Sequence, residues 1–253
     1  MSARQQFIDR LNSEEVSLGQ LALLAVQILK GDNAAAQRAT TRGLESLAVL
    51  SNDARSAGCE ESLERLVTFI GSERGFAGNA QDYYSADNSD LSMVLERRSG
   101  IPITLAIVYI ELGRTMGFDL RGIGFPGHFL VGHYADVHSA ADGVVTEGEA
   151  GLIDPFAGKL TTRSSCLENL ARDAKDHPQA QIDAWFAPAT SPQIALRLLE
   201  NLKQIYLHNR SLGQALAALD LQLLVAPESF ELLQQQQTLS AQIFGRDNKP
   251  PLH

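Results

Sequence analysis

The chain has 253 residues, 21 Lys and Arg against 30 Asp and Glu for a formal net charge of −9, and 44 % hydrophobic residues, which excludes disordered and fibrous classes and suffices for a buried core. No cluster of Lys and Arg offers a phosphate-binding face, so nucleic acid is not an expected partner. Two cysteines, Cys59 and Cys166, are too few for a disulfide scaffold and point to a reducing compartment. Residues 1–15 lack an apolar signal core, and the uncharged run 16–29 is shorter than the roughly 20 residues of a membrane span. The expectation is a cytoplasmic protein without a membrane partner.

The first seventy residues read as helices. Asn12 and Glu15 form a cap pair for a helix continuing through Leu18, Leu21, Ala22, Ala25, Ile28 and Leu29 to a stop at Gly31. A second helix covers 34–50, and a third carries Leu63, Leu66, Val67 and Ile70 at helical spacing before Gly71. Residues 71–88, with their glycines, Asn79, Tyr83 and Tyr84, read as an irregular loop long enough to serve a functional site. Pro102, which has no amide hydrogen to leave unpaired, opens a helix that ends near Met116 with Gly117 in the left-handed position. The stretches 120–125 and 128–134 read as strands, 136–150 as a solvated hairpin loop, and 151–153 as a further strand.

After Lys159 the chain turns helical again, with Ser165 and Glu168 as a capping box around Cys166, and Pro178, Pro188 and Pro192 mark a linker. Residues 196–229 can be laid on the tetratricopeptide (TPR) pattern of about 34 residues, with Leu199, Leu202, Tyr206, Ala215, Leu219 and Pro227 at its key spacings and departures at Lys203 and Gln222. A second repeat starts near Phe230 and is cut to one helix. Because about three repeats are needed for a free-standing array, this tail buries its face against the core, a partner or a second copy of the chain, giving a possible homo-oligomer; an ordinary helical hairpin is the alternative. The expected division is a helical layer over 1–75, a core over 76–187 and a tail over 192–253.

Three blocks carry the chemistry: 87–106 (DNSDLSMVLERRSGIPITLA), then Phe125-Pro126-Gly127-His128-Phe129-Leu130, then Ile153-Asp154-Pro155-Phe156. Together they resemble the bacterial transglutaminase-like family with a TPR tail, known as invasion-gene regulators of the Sir B type. A related core resembles part of certain F-box proteins of ubiquitin ligases, which hints at protein partners. The resemblance implies an α+β fold, a transglutaminase-like core of the papain-like cysteine protease superfamily. Enzymes of that superfamily use a Cys at a helix start, a His on a strand and an Asp on the next strand. The thiolate attacks, stabilised by the helix N-terminus and the imidazole, while the carboxylate fixes the imidazole. His128 and Asp154 match the His and Asp. Gly100-Ile101-Pro102 with Ala106 gives the frame around the nucleophile, but Pro102 stands where the thiol belongs.

In serine proteases loss of the nucleophile alone costs on the order of 10⁶ in turnover, so the expectation is a non-catalytic protein in which His128 and Asp154 are a remnant pair. Thr104 is no substitute, since a helix turns about 100° per residue and directs it away from position 102; its hydroxyl bonds back to the helix or packs beside the core. Cys166, read at the first turn of a capped helix, is the alternative thiol for an amide or peptide hydrolase or acyltransferase; otherwise it is a buried structural cysteine. Cys59 has no evident base nearby. His128, His133 and His138 lie five apart and point to opposite faces of a strand, which speaks against a metal site, and no cofactor is implied. Arg97 and Arg98 pair with Asp87 or Asp90, or rim a ligand site.

The reading is a regulatory or scaffolding protein-binding module. Its cleft holds Asn88, Arg98, Gly100, Tyr109, Pro126, Gly127 and Phe129, and its partner-binding tail uses Leu199, Leu202, Tyr206, Ala215 and Leu219. The negative charge favours a basic or amphipathic partner segment. A small-molecule binder using a closed apolar cleft lined by Tyr109, Phe125 and Phe129 is the second alternative.

Overall fold

The computed structural model describes residues 1–13, 15–138, 145–170 and 177–245. Helix α1 (Ala3–Leu11) precedes α2 (Leu18–Leu29), α3 (Ala34–Ser56) and α4 (Leu63–Thr68), the last continued by a π-helical turn over Phe69–Glu73. Asn12 closes α1, and the cap of α2 is Ser17, whose side chain accepts from the Gln20 amide. The expected cap pair Asn12 and Glu15 is therefore corrected. The polar N-terminus forms its own helix because Ala3 and Phe7 bury one side of it. Helix α2 is apolar on nearly every side and is correspondingly buried. It stops where expected, with Gly31 at φ +91°.

After β1 (Ala77–Gly78), a 3₁₀ turn (Ala86–Asn88), α5 (Leu91–Arg97) and β2 (Ser99–Gly100), α6 (Pro102–Thr115) runs through the centre of the molecule. Ile103, Leu105, Ile107, Val108 and Leu112 of α6 are almost wholly buried. Four antiparallel strands follow in spatial order β3 (Asp119–Ile123), β4 (Leu130–His138), β5 (Val145–Asp154) and β6 (Lys159–Thr161). Alternation along the strands separates the two faces of this sheet. Leu120, Val131 and Ile153 join the main core with α6, whereas Ile123, Leu130 and Leu152 form a second cluster with Phe125, Cys166 and Phe186.

The expected loop over 136–150 is corrected at both ends: β4 runs on to His138 and β5 starts at Val145, paired from Tyr134↔Glu149 to His138↔Val145, while residues 139–144 lie outside the described residues. An antiparallel ladder is satisfied by backbone pairing alone, so this polar stretch needs no apolar alternation to form it. The start of the next helix is also corrected. Helix α7 (Arg163–Asn169) is capped by Thr162, which accepts from the Ser165 amide, so Ser165 and Glu168 do not frame the helix start. Cys166 lies beyond its first turn.

The proline region is structured. It holds α8 (Gln179–Trp185), and the Ala189 amide donates to the Gly122 carbonyl at 2.7 Å beside an Ile123↔Pro188 bridge. Pro192 lies in the first turn of α9 (Ser191–His208), which opens on a Thr190 and Gln193 capping box. Then come α10 (Leu212–Val225) and α11 (Phe230–Phe244). Leu198, Leu199 and Leu202 of α9 and Ala218 and Leu221 of α10 belong to the main core, so these two helices use their apolar faces within the chain. Lys203 and Gln222, the departures from the repeat pattern, form a buried polar knot: both bond the Glu200 carboxylate, and Lys203 also reaches Gln235 on α11. Among the described residues no helix is long and apolar enough to cross a membrane.

Candidate functional site

His128 follows a tight turn in which Gly127 takes φ +67°, a conformation that favours glycine. Its amide donates to the Phe125 carbonyl at 3.0 Å, and its own carbonyl accepts from Arg197 Nη2 at 2.8 Å. The residue is thus fastened to the turn on one side and to α9 on the other. Antiparallel pairing of β4 with β5 brings it to the end of β5, where its Nε2 donates to Asp154 Oδ1 at 3.0 Å. The same oxygen accepts from the amides of Phe156 and Ala157, each at 3.0 Å. The side chains of the pair are 26 % and 22 % exposed, so the site is sheltered and still reachable.

Burial pushes the Asp154 carboxyl up, but the bonds from His128, Ala157 and Phe156 outweigh it and hold the pKa below its ordinary value. A carboxylate whose pKa is lowered by folding stabilises fully above its unfolded value of about 3.9 and ceases to do so as pH falls through the folded value. Replacing Asp154→Asn should cost roughly 1–2 kcal/mol at neutral pH. The gap in urea midpoint between wild type and variant should narrow below about pH 4. A gap unchanged down to about pH 2 would contradict a charged Asp154 in the folded protein.

His128 shares a pocket of about 50 Å³ with Pro102, Gly127, Phe129, Arg197 and Asn201. The first turn of α6 and the His128 turn are therefore brought together. Tyr83, in the loop before α5, lines the same pocket. Thr104 is fully buried, its hydroxyl donating to the Asn88 carbonyl at 2.7 Å. Asn88 clamps that loop, donating to the carbonyls of Asp82 and Tyr83. Gly100 is closely packed on Thr104 and Val94. Arg98 is exposed, ends α5 with φ +57°, and gives its carbonyl to Ala77. Arg97 pairs with Asp87. Pro126 is half-buried in the turn.

Tyr109 is fully buried on α6, and among the described residues its hydroxyl has no hydrogen-bond partner. Burial, reinforced by the charge of Asp154, raises its pKa strongly. Neither cysteine is brought to the pair. Cys59 is buried, and burial raises its pKa. Cys166 packs on the sheet face turned away from α6, with its sulfur 3.8 Å from Thr161 Oγ1. The thiol expected as a substitute nucleophile therefore lies in an apolar cluster outside the His128 pocket. His133 stacks edge-on against Phe118 at 5.5 Å, and burial lowers its pKa; the side chain of His138 lies outside the described residues. No group of three or more His, Cys, Asp or Glu able to hold a metal occurs among the described residues.

Leu199, Leu202, Ala215 and Leu219 are at most 2 % exposed, and Tyr206 is half-buried and packs against the core. These side chains lie inside the chain's own packing rather than on a face open to a partner. Arg197, like Asn201 one turn further on, is a site residue that sequence reasoning missed. Within α9 it sits between apolar residues of the helical stripe and matches no motif, and only the docking of α9 carries it to His128.

A central helix packed on an antiparallel sheet, with a histidine and a carboxylate paired beside the helix start, defines a transglutaminase-like arrangement. The family model for the transglutaminase-like superfamily matches residues 35–200, and the chain belongs to that superfamily. Among its relatives, a UPF0162 protein of Xylella fastidiosa is 35 % identical over 165 residues, 63 % of this chain and 54 % of that protein. The chain thus spans about half the length of that curated relative. A UPF0162 protein of Pseudomonas aeruginosa is 30 % identical over 222 residues, 87 % of this chain and 74 % of that protein. F-box only protein 21 of Mus musculus is 32 % identical over 108 residues, 43 % of this chain and 17 % of that protein. No solved structure matches significantly.

Proposed function

We propose that the chain is a non-catalytic transglutaminase-like protein that acts as a regulatory or scaffolding module by binding a protein partner. The observation that carries this reading is the pocket itself. The first turn of α6 brings Pro102 and Ile103 to the pocket that holds His128, and neither has a nucleophilic atom, while Cys59 and Cys166 are packed in apolar surroundings elsewhere. A paired imidazole and carboxylate without a nucleophile cannot form the covalent intermediate of acyl transfer. Recurrence of part of the core within the longer F-box only protein 21 fits a module that is combined with others. The helices α9 to α11 are read as the TPR-like tail. With the faces of α9 and α10 used internally, α11, where Phe230 is 79 % and Phe244 64 % exposed, is the tail surface open to a partner or a second copy.

The test is thiol reactivity. Labelling of native Cys59 and Cys166 with an electrophile between pH 5 and 9 should be slow and unchanged by His128→Ala, because burial in apolar surroundings disfavours a thiolate and neither cysteine lines the His128 pocket. Fast labelling of Cys166 at low pH that collapses in the variant would overturn the reading in favour of a thiol enzyme.

A further inference from the structure

Among the described residues, Arg197 is a charged residue without a charged partner. Its guanidinium donates to the His128 carbonyl at 2.8 Å and lies 5.3 Å from the Phe129 ring centroid, and no described carboxylate lies within 4 Å of it. Burial lowers its pKa, the direction expected of a cation drawn from water without compensation. A guanidinium has five N–H donors, more than one carbonyl can use. In a chain of net charge −9, a cation kept in a pocket and away from the available carboxylates is an anion site in waiting.

The pocket does not end at Arg197. Tyr83, Ile101 and Asn201 line both it and an adjoining cavity of about 310 Å³, which extends past Tyr84 and Ile205 to Ser89 and His208. The two form one groove between the loop before α5 and helix α9. Its broad part has apolar walls in Tyr83, Tyr84, Ile101 and Ile205. It also holds an orphan: Ser89 Oγ is fully buried and, among the described residues, has no hydrogen-bond partner, and such a group costs free energy unless something bonds it.

We infer that this groove binds the C-terminal end of a partner polypeptide, with the terminal carboxylate on Arg197, a large apolar last side chain between Tyr83, Tyr84 and Ile205, and backbone groups meeting Asn201 and Ser89. The guanidinium requires an anion and the wide cavity an apolar body. Ser89 and Asn201 select a ligand carrying amides over a bare alkyl acid, whose chain leaves both unbonded. The inference rests on the protein-binding reading and names the partner's chemistry at that same cleft.

The experiment uses the full chain and a fluorescein-labelled hexapeptide pool ending in Phe, prepared as the free acid and as the C-terminal amide, read by fluorescence polarisation. The free acid should bind about tenfold or more tighter than the amide, the loss expected when a charge-assisted pair is removed. Arg197→Gln should abolish the difference. Since Arg197 also holds the His128 turn, Ile205→Trp, which fills the wide cavity and leaves the guanidinium intact, should weaken acid peptides by a similar factor. Equal binding of acid and amide, or no binding of either, overturns the inference. So does a simple alkyl carboxylate competing as well as the peptide, which would make the occupant a small acid. These outcomes are independent of thiol labelling: reactive Cys166 would overturn the non-catalytic reading alone, and absent peptide binding the groove assignment alone.

Discussion

Replacing Pro102→Cys is expected to create the most reactive thiol in the molecule. The position opens α6 and shares a pocket with His128. A thiol there meets the positive end of the helix dipole and an imidazole, two influences that bring a cysteine pKa from about 8.5 into the range of roughly 3.5–7.5. At pH 6 an ordinary thiol is about 0.3 % ionised, whereas one with a pKa near 6 is half ionised. Lower intrinsic nucleophilicity takes back part of that gain and leaves labelling about tenfold faster than an exposed reference thiol. The advantage over buried Cys59 and Cys166 should be larger. His128→Ala in the same background should return the pH profile to that of a plain cysteine. The fold should tolerate the change, because proline at this position contributes about 0.4–1 kcal/mol, chiefly through the unfolded chain. Labelling of the introduced thiol no faster than the reference, or indifferent to His128, would mean that the pocket lacks the electrostatics of a thiol site and would remove the ground for regarding Pro102 as a replaced nucleophile.

How far the sequence reached is visible in particular residues. Helix α6 was legible at both ends, since Pro102 and Gly117 are local signals that need no knowledge of packing. The His128 and Asp154 pair was legible through the resemblance of their two blocks to the transglutaminase-like family, and the antiparallel pairing of β4 with β5 brings the two together across 26 residues of sequence. What failed locally failed where two weak signals competed. Asn12 and Ser17 can both cap a helix, and burial of Phe7 decides between them by extending α1 to Leu11. The polar sequence before Ala150 gave no periodicity to read, because the ladder that pairs β4 with β5 is a backbone feature. Arg197 was out of reach for a different reason. Its partner His128 is 69 residues away, and the contact exists only because α9 docks beside α6, a tertiary event with no local signature.

The other large effect concerns Gly71, where even a methyl group should be costly. It lies in the π-helical turn after α4, and a Cβ there would stand 2.5 Å from the Gly158 carbonyl oxygen and 3.1 Å from its Cα. The obstacle is backbone, so no rotamer change relieves it. Gly158 cannot readily retreat: it holds φ +66° in the turn joining β5 to β6, and a Cβ at that position would itself meet Gly71, Phe76 and the Tyr109 hydroxyl. Overpacking of this kind costs roughly 1–3 kcal/mol, and the upper part of that range applies where only backbone can move. At about 2–4 °C per kcal/mol for a chain of this size, Gly71→Ala should lower the melting temperature by roughly 5–10 °C. Gly213→Ala is the matched control, since nothing lies within 4 Å of its Cβ position in α10, and it should stabilise by up to about 1 kcal/mol through helix propensity. The comparison bears on the site as well as on stability. The displaced turn carries the Phe156 and Ala157 amides that bond Asp154, so a Gly71→Ala protein that remains folded should also lose part of the acid sensitivity attributed to that carboxylate. If Gly71→Ala and Gly213→Ala melt together, the close approach of the two backbones is absent in solution, and the positioning of Asp154 must then come from β5 alone.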